Sequence, residues 1–247
     1  NSSIMAGHSH WANIQRKKSK MDAKRGKVFS KWAKLIMAAA RVGGSDIAMN
    51  LPLRYAIERA KADNMPNESI ERAVKKGAGE LDGPTPEEVT YEAYAPGGVA
   101  ILIEALTDNR NRTAPNLRTA LTKKGGSMAN SGSVSWMFKR KAIFALNKDG
   151  VEEETLMDVA LENGAEDIST EVPEIFGIEG DPASFIQLKE ALEGQGWELL
   201  EASLQYIPDT TVALPLEQEE KFLALIDAIE DDEDVQAVHH NAEFASS

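Results

Sequence analysis

Apolar residues recur at helical three-and-four spacing through Val28, Phe29, Trp32, Leu35, Ile36 and Ala39. This predicts a helix from about Arg25 to Arg41. Gly43 and Gly44 end it, since glycine takes up the left-handed conformation past a helix end without steric cost. A second helix follows Asn50, with Leu53, Ala56, Ile57 and Ala60 turned inward. A third follows Asn64-Met65-Pro66: Asn67 is the expected cap, Ile70 and Val74 face the core, and Gly77 is the stop. Three short helices with brief connections make a small helical domain ending near Gly79. The residues up to about Lys24 have no sustained apolar period and read as a flexible arm, with the native chain taken to start at Met5.

Gly79 to Glu88 is a linker by composition. Beyond it the period changes from helical to alternating. Two strand runs flank Pro96-Gly97-Gly98, a hairpin signal. A helix over Thr113 to Lys124 follows, stopped by Gly125-Gly126, and Ser133 to Phe138 reads as a short strand. From Lys141 the order is strand, helix, strand, strand, helix, strand, which is that of a ferredoxin-like unit. The last segment offers one helix and one strand, too little for a domain. It would complete the unit begun at Val89, which lacks a second helix. The expected fold is therefore α+β: an N-terminal three-helix domain followed by two small α+β domains, the last ferredoxin-like and inserted into the middle one. The boundaries are 5–82 for the basic arm and helical domain, 83–140 plus 209–247 for the discontinuous domain, and 141–208 for the acidic ferredoxin-like domain.

Charge sharpens this division. The chain of 247 residues has a formal net charge of -13. Residues 1–80 nevertheless hold 16 Lys and Arg against 7 Asp and Glu, whereas residues 81–247 hold 11 against 33. Within the first 41 residues Asp22 is the only acid. Like charge gathered in one block is an interaction feature, and the usual partner of a basic block is a polyanion. Between Ala142 and Pro208 there are 2 basic and 16 acidic residues, a surface that repels nucleic acid or meets a basic protein. Cysteine is absent, which excludes disulfides, thiolate nucleophiles and Cys-type zinc sites. No apolar run approaches the roughly 18 residues of a membrane span.

Several long motifs carry a resemblance. They are the runs from Ala6 to Lys18, Asp22 to Trp32, Glu58 to Gly79, Tyr91 to Thr113 and Gly132 to Phe138. Together and in this order they are similar to the YebC/PmpR family, which includes the mitochondrial translational activator of cytochrome oxidase. The resemblance covers nearly the whole chain, with departures at His10, Ala93, Ala95 and around Ala129. It implies three domains, one helical and two α+β. It further implies a cytoplasmic, non-enzymatic regulator of gene expression, either a DNA-binding transcriptional regulator or a translation factor acting at the ribosome.

The candidate nucleic-acid-binding residues are Arg16, Lys17, Lys18, Lys20, Lys24, Arg25, Lys27, Lys31 and Lys34, because flexible cations displace the counterions condensed on phosphates. Gln15, Ser19 and Asn13 could hydrogen-bond among them, and Trp11 could stack on a base. A second candidate is Asp108 to Thr113, where a strand enters a helix capped by Thr113 or Asn111. Arg110 and Arg112 would flank its free N–H groups and make an anion site, or one would pair with Asp108. The third helix begins with Glu68, Ser69 and Glu71, which are poor base readers, so direct readout of a DNA groove is disfavoured. His8 with His10, and His239 with His240, lack the further ligands of a metal site. The run Asp231 to Asp234 reads as a solvated helix end. No catalytic triad, Walker loop or dinucleotide fingerprint is present, so neither an enzyme nor a cofactor is expected. The expected partner is DNA or ribosomal RNA, with the ribosome itself a further one, no membrane, and the chain acting as a monomer.

Overall fold

The computed structural model describes residues 10, 11, 13, 14 and 25–245, with the first three positions of the long first helix described through their backbone alone. That helix, α1 (Arg25–Gly43), packs on α2 (Leu51–Ala62) and α3 (Asn67–Gly77). Trp32, Ile36, Ala40, Leu53, Ile57, Ala60, Met65, Ile70 and Ala73 form its core. The indole Nε1–H of Trp32 donates to Asp63 at 2.5 Å and Arg59 lies over the ring. Gly77 has a reason beyond stopping a helix. A Cβ there would run into the backbone of Met37, so α1 and α3 approach as closely as they do only over a glycine. Asn67 is not the cap of α3. Pro66, locked in an extended conformation, occupies the cap position without a side-chain bond, and Asn67 lies in the first turn. Asn50 does cap α2, its side-chain amide oxygen accepting from the Leu53 N–H.

The middle unit begins with the hairpin β1 (Glu87–Ala95) and β2 (Val99–Thr107), turning at Pro96-Gly97-Gly98 with both glycines at positive φ. Then come α4 (Arg110–Lys123) and the short β3 (Ser127–Ala129), which alternation did not reveal. The chain next enters the ferredoxin-like unit: β4 (Phe138–Asn147), α5 (Glu153–Glu162), β5 (Ala165–Ser169), β6 (Ile175–Gly180), α6 (Phe185–Gly194) and β7 (Leu199–Pro208). Its sheet has the order β5-β6-β4-β7 and every pair is antiparallel. The chain then returns through β8 (Val212–Leu214), α7 (Glu219–Glu230), β9 (Val235–His240) and β10 (Ala242–Phe244). Strand β9 pairs with β2, giving β3-β1-β2-β9, so residues on both sides of the insertion share one sheet. Helices α4 and α7 cover one face of it through Leu117, Leu121, Phe222, Leu225 and Ile229.

Two segments depart from the sequence expectation. The run Ser133 to Phe138 alternates like a strand, but Ser135–Met137 is a 3₁₀ turn and the strand starts at Phe138. The cause is Glu92. Its buried carboxylate accepts from the N–H groups of Gly132 (2.6 Å), Val134 (2.8 Å) and Ser135 (2.7 Å), donors that a strand would give to a neighbour. Nor are all residues before Lys24 without tertiary contacts. His10, Trp11, Asn13 and Ile14 are helical. Trp11 and Ile14 are buried against Ile143, Ala145, Val172 and Ile175 on the ferredoxin-like sheet. Gly177 makes the slot, since a Cβ there would overlap the Trp11 ring. Trp11 is thus committed to packing and is not presented for stacking on a base.

Glu92 supports a prediction about acid. Burial pushes its carboxyl up, but the three backbone donors outweigh burial and hold it below the usual carboxylate range. A carboxyl depressed on folding contributes stability that is present above its unfolded pKa of about 4.3 and lost as pH falls below it. Glu92→Gln should therefore cost about 1–3 kcal/mol at pH 7. At pH 3 it should approach the parent. Urea melts at the two pH values check this, and an equal loss at both would contradict it.

Candidate nucleic-acid interface

Arg16, Lys17, Lys18, Lys20 and Lys24 lie outside the described residues. Arg25 and Lys27 occupy the first turn of α1. Lys31 and Lys34, one and two helical turns further on, are directed into the protein. The Lys31 ammonium donates to the Glu230 carbonyl at 2.6 Å. Lys34 donates to the Glu233 carbonyl at 2.9 Å and to Asp234 Oδ1 at 2.5 Å. Helix α7 carries no basic residue in its last turn. The two lysines of α1 supply the positive charge that the C-terminal end of α7 lacks.

Asp234 is the centre of this contact and is not a solvated residue at a helix end. It is 2% exposed. Besides Lys34 it accepts from Arg112, at 2.8 Å from Nη2 and 3.3 Å from Nε, and from the Thr113 hydroxyl at 2.6 Å. Arg112 also reaches Asp108 at 3.0 Å. Burial raises the Asp234 carboxyl, but the bonds from Lys34, Thr113 and Arg112 prevail and hold it below the usual range. The Asp234 carboxylate in turn holds the Arg112 guanidinium up. Helix α4 is capped by Asn109, whose side chain accepts from the Arg112 N–H at 3.2 Å. Neither Thr113 nor Asn111 does so, since Thr113 is buried with its hydroxyl on Asp234. Arg110 stays exposed and pairs directly with Glu87 at 3.2 Å, both side chains lying more than half in solvent. The arginine pair at this turn therefore spends Arg112 on structure and leaves Arg110 at the surface.

A second bridge runs from α6 to α2. The buried Lys189 ammonium lies 3.9 Å from the centre of the Tyr55 ring, binds Glu193 at 2.5 Å and approaches Glu58 at 3.8 Å. The basic helical domain is thereby fastened to both α+β units. The exposed first positions of α3 are Glu68, Ser69 and Glu71. His239 is buried with Nε2 2.7 Å from Glu104 and its ring edge-on to Tyr206, and His240 packs on Phe222 and Phe244. Among the described residues there is no cluster of three metal-ligating side chains, and no helix is long and apolar enough to cross a membrane.

Comparison with known proteins places this architecture. Residues 9–80 match the model of the TACO1/YebC protein N-terminal domain, and residues 86–242 match that of the TACO1/YebC second and third domain. A protein of Caldanaerobacter subterraneus named "Probable transcriptional regulatory protein" is 50% identical over 97% of this chain and 99% of its own length. One of Hathewaya histolytica with the same description is 51% identical over 97% and 98%. The crystal structure of a conserved hypothetical protein from Aquifex aeolicus superposes with a TM-score of 0.87 at 46% identity, covering 97% of this chain and 98% of the other. With both family models matched in order and half the residues shared with such relatives, the chain belongs to the TACO1/YebC family.

Proposed function

We propose that the chain is a non-enzymatic regulator of gene expression that binds nucleic acid through its basic N-terminal segment. The observation that carries this is the separation of charge, with nine cations between Arg16 and Lys34 and Asp22 as the only acid of the first 41 residues. In this reading residues 5–82 are the binding unit. Residues 83–140 with 209–247, and the acidic residues 141–208, are its carrier, and the molecule works as a cytoplasmic monomer. The names of the relatives support a transcriptional regulator, and in the first form of this reading the basic segment binds DNA. A second form of the reading, a translation factor using the same cations on ribosomal RNA, is favoured by the acidic start of α3. Recognition through phosphates and shape needs no base-reading helix.

Because Lys31 and Lys34 are engaged within the chain, the contacts expected of this segment number about five to seven, giving a slope of log affinity against log salt near −5 for a duplex. Lys17→Glu/Lys18→Glu/Lys20→Glu should reduce that slope by about three. A charge reversal is a cleaner test than removing residues up to Lys24, since removal also takes Trp11 and Ile14 from the core. A salt-independent affinity in the parent would end this reading. Crosslinking in cells, sorted into promoter DNA and ribosomal RNA, separates its two forms.

A further inference from the structure

Trp136 is 70% exposed, yet it is not a loose side chain. Its Nε1–H donates to the Ser133 carbonyl at 3.0 Å. Val134 before it and Phe138 after it are buried with Ala100 and Leu102. The turn that carries it is tied to Glu92 through three backbone N–H groups. Large aromatic rings are seldom left this open, and here the backbone holding the ring is fixed before any partner arrives. Those same three donors take up the Glu92 carboxylate, so this acid does not confront an approaching anion.

Next along the chain come Lys139, Arg140 and Lys141, the three consecutive cations that precede the acidic stretch from Ala142 to Pro208. Lys139 is 69% exposed at the side chain and meets Asp209 only at 3.5 Å. Arg140 is exposed, with its guanidinium 5.4 Å from the centre of the Tyr206 ring and Nη1 donating to the Tyr206 hydroxyl at 3.4 Å. Lys141 is bound to Glu166 at 2.8 Å, so Lys139 and Arg140 are the cations open to a ligand. An open indole followed in sequence by two accessible cations, one on each face of the start of β4, has the chemistry that binds single strands. An unpaired base stacks on the ring and the neighbouring phosphates meet the charges.

We infer that Trp136, with Lys139 and Arg140, forms a second nucleic-acid contact that takes an unstacked base of a single-stranded segment. The inference rests on the proposed function, which supplies the nucleic acid, and adds a base-stacking site to a phosphate-binding segment whose Trp11 is buried. A duplex buries its base faces, so the site discriminates between strand states and does not read sequence.

The test measures the affinity of the full chain for a 12-nucleotide single-stranded RNA, the same sequence as single-stranded DNA, and its duplex. The parent is compared with Trp136→Ala, Trp136→Phe, Arg140→Ala and the arm variant Lys17→Glu/Lys18→Glu/Lys20→Glu. Trp136→Ala should weaken single-strand binding by about tenfold or more. Trp136→Phe should recover most of it, and duplex binding should stay within about twofold. Arg140→Ala should lower the salt slope by about one. Thermal melts of the Trp136 variants should match the parent, because the ring is mostly in solvent. Loss on RNA but not DNA, or on both, each supports the site and identifies its strand. Unchanged single-strand affinity in Trp136→Ala, with the arm variant impaired, overturns the inference, leaves the proposed function standing, and points the tryptophan toward a protein partner. Equal losses on single strand and duplex overturn base stacking. A parent that binds none of the three probes overturns the proposed function and this inference together.

Discussion

Asp234→Ala is expected to destabilise the protein by about 3 kcal/mol, the low end of what removing one partner from a buried ion pair costs. The carboxylate is 2% exposed and accepts from Lys34, Arg112 and Thr113. Its loss leaves two cations to be rehydrated. Lys34 at 15% and Arg112 at 44% side-chain exposure already reach water, which keeps the cost from the upper end. For a chain of this length that is about 6–12 °C in the thermal transition. The loss has a place as well as a size. With Asp234 gone, Lys34 of α1 loses its carboxylate partner beyond the end of α7, so the linker over residues 79–88 should be cut faster by a protease. Asp234→Asn should fall between the two, because its amide oxygen still accepts from Thr113. Glu233→Ala is the control. That residue contributes its carbonyl and not its side chain, and its change should stay within about 0.5 kcal/mol. The pH dependence has a definite sign. The Asp234 carboxyl is depressed on folding, so its contribution is present above the unfolded pKa near 3.9 and disappears as pH falls through the folded value. Parent and Asp234→Ala should therefore converge in acid and differ most at neutral pH.

Nothing in the run Asp231-Asp232-Glu233-Asp234 distinguishes its last member. Four acids after a helix look like a solvated end, and only the docking of α1 and α4 makes one of them a buried hub. The same blindness covers Lys31 and Lys34. They belong to the basic block by sequence, but helical geometry turns them toward the end of α7. What was legible had local or topological causes. The three helices follow from three-and-four spacing and from breakers such as Gly44 and Pro66. The hairpin follows from Pro96-Gly97-Gly98. The order strand, helix, strand, strand, helix, strand implied a ferredoxin-like unit, and the structure gives its sheet the order β5-β6-β4-β7. The turn at Ser135 was not legible, because the group that bends it, Glu92, lies 42 residues before Val134. The charge separation that carries the functional reading was visible from the distribution of charges along the sequence, while the exposure of Trp136 required the structure.

Trp11→Ala is expected to cost about 3 kcal/mol, within the usual range for truncating a buried tryptophan. The ring is 2% exposed and lies on Gly177, with Ile143, Ala145 and Ile175 around it. Gly177→Ala should cost a similar amount for the same reason, since the new methyl group and the indole cannot share the slot. The two effects should not add. In the background of Trp11→Ala the slot is empty. Alanine also suits an extended strand better than glycine, which gives up more conformational freedom on folding, by about 0.5–1 kcal/mol. Gly177→Ala should then become neutral or slightly stabilising. A double-mutant cycle by urea denaturation, read on the ferredoxin-like domain, measures this coupling, expected at about 3 kcal/mol. A cycle that closes near zero would mean that the ring does not occupy the slot in solution. The residues before Lys24 would then be the free arm that their polarity suggests. A large coupling makes Trp11 the point from which the basic segment leaves the acidic domain, so that the cations from Arg16 onward start from a fixed place on the protein.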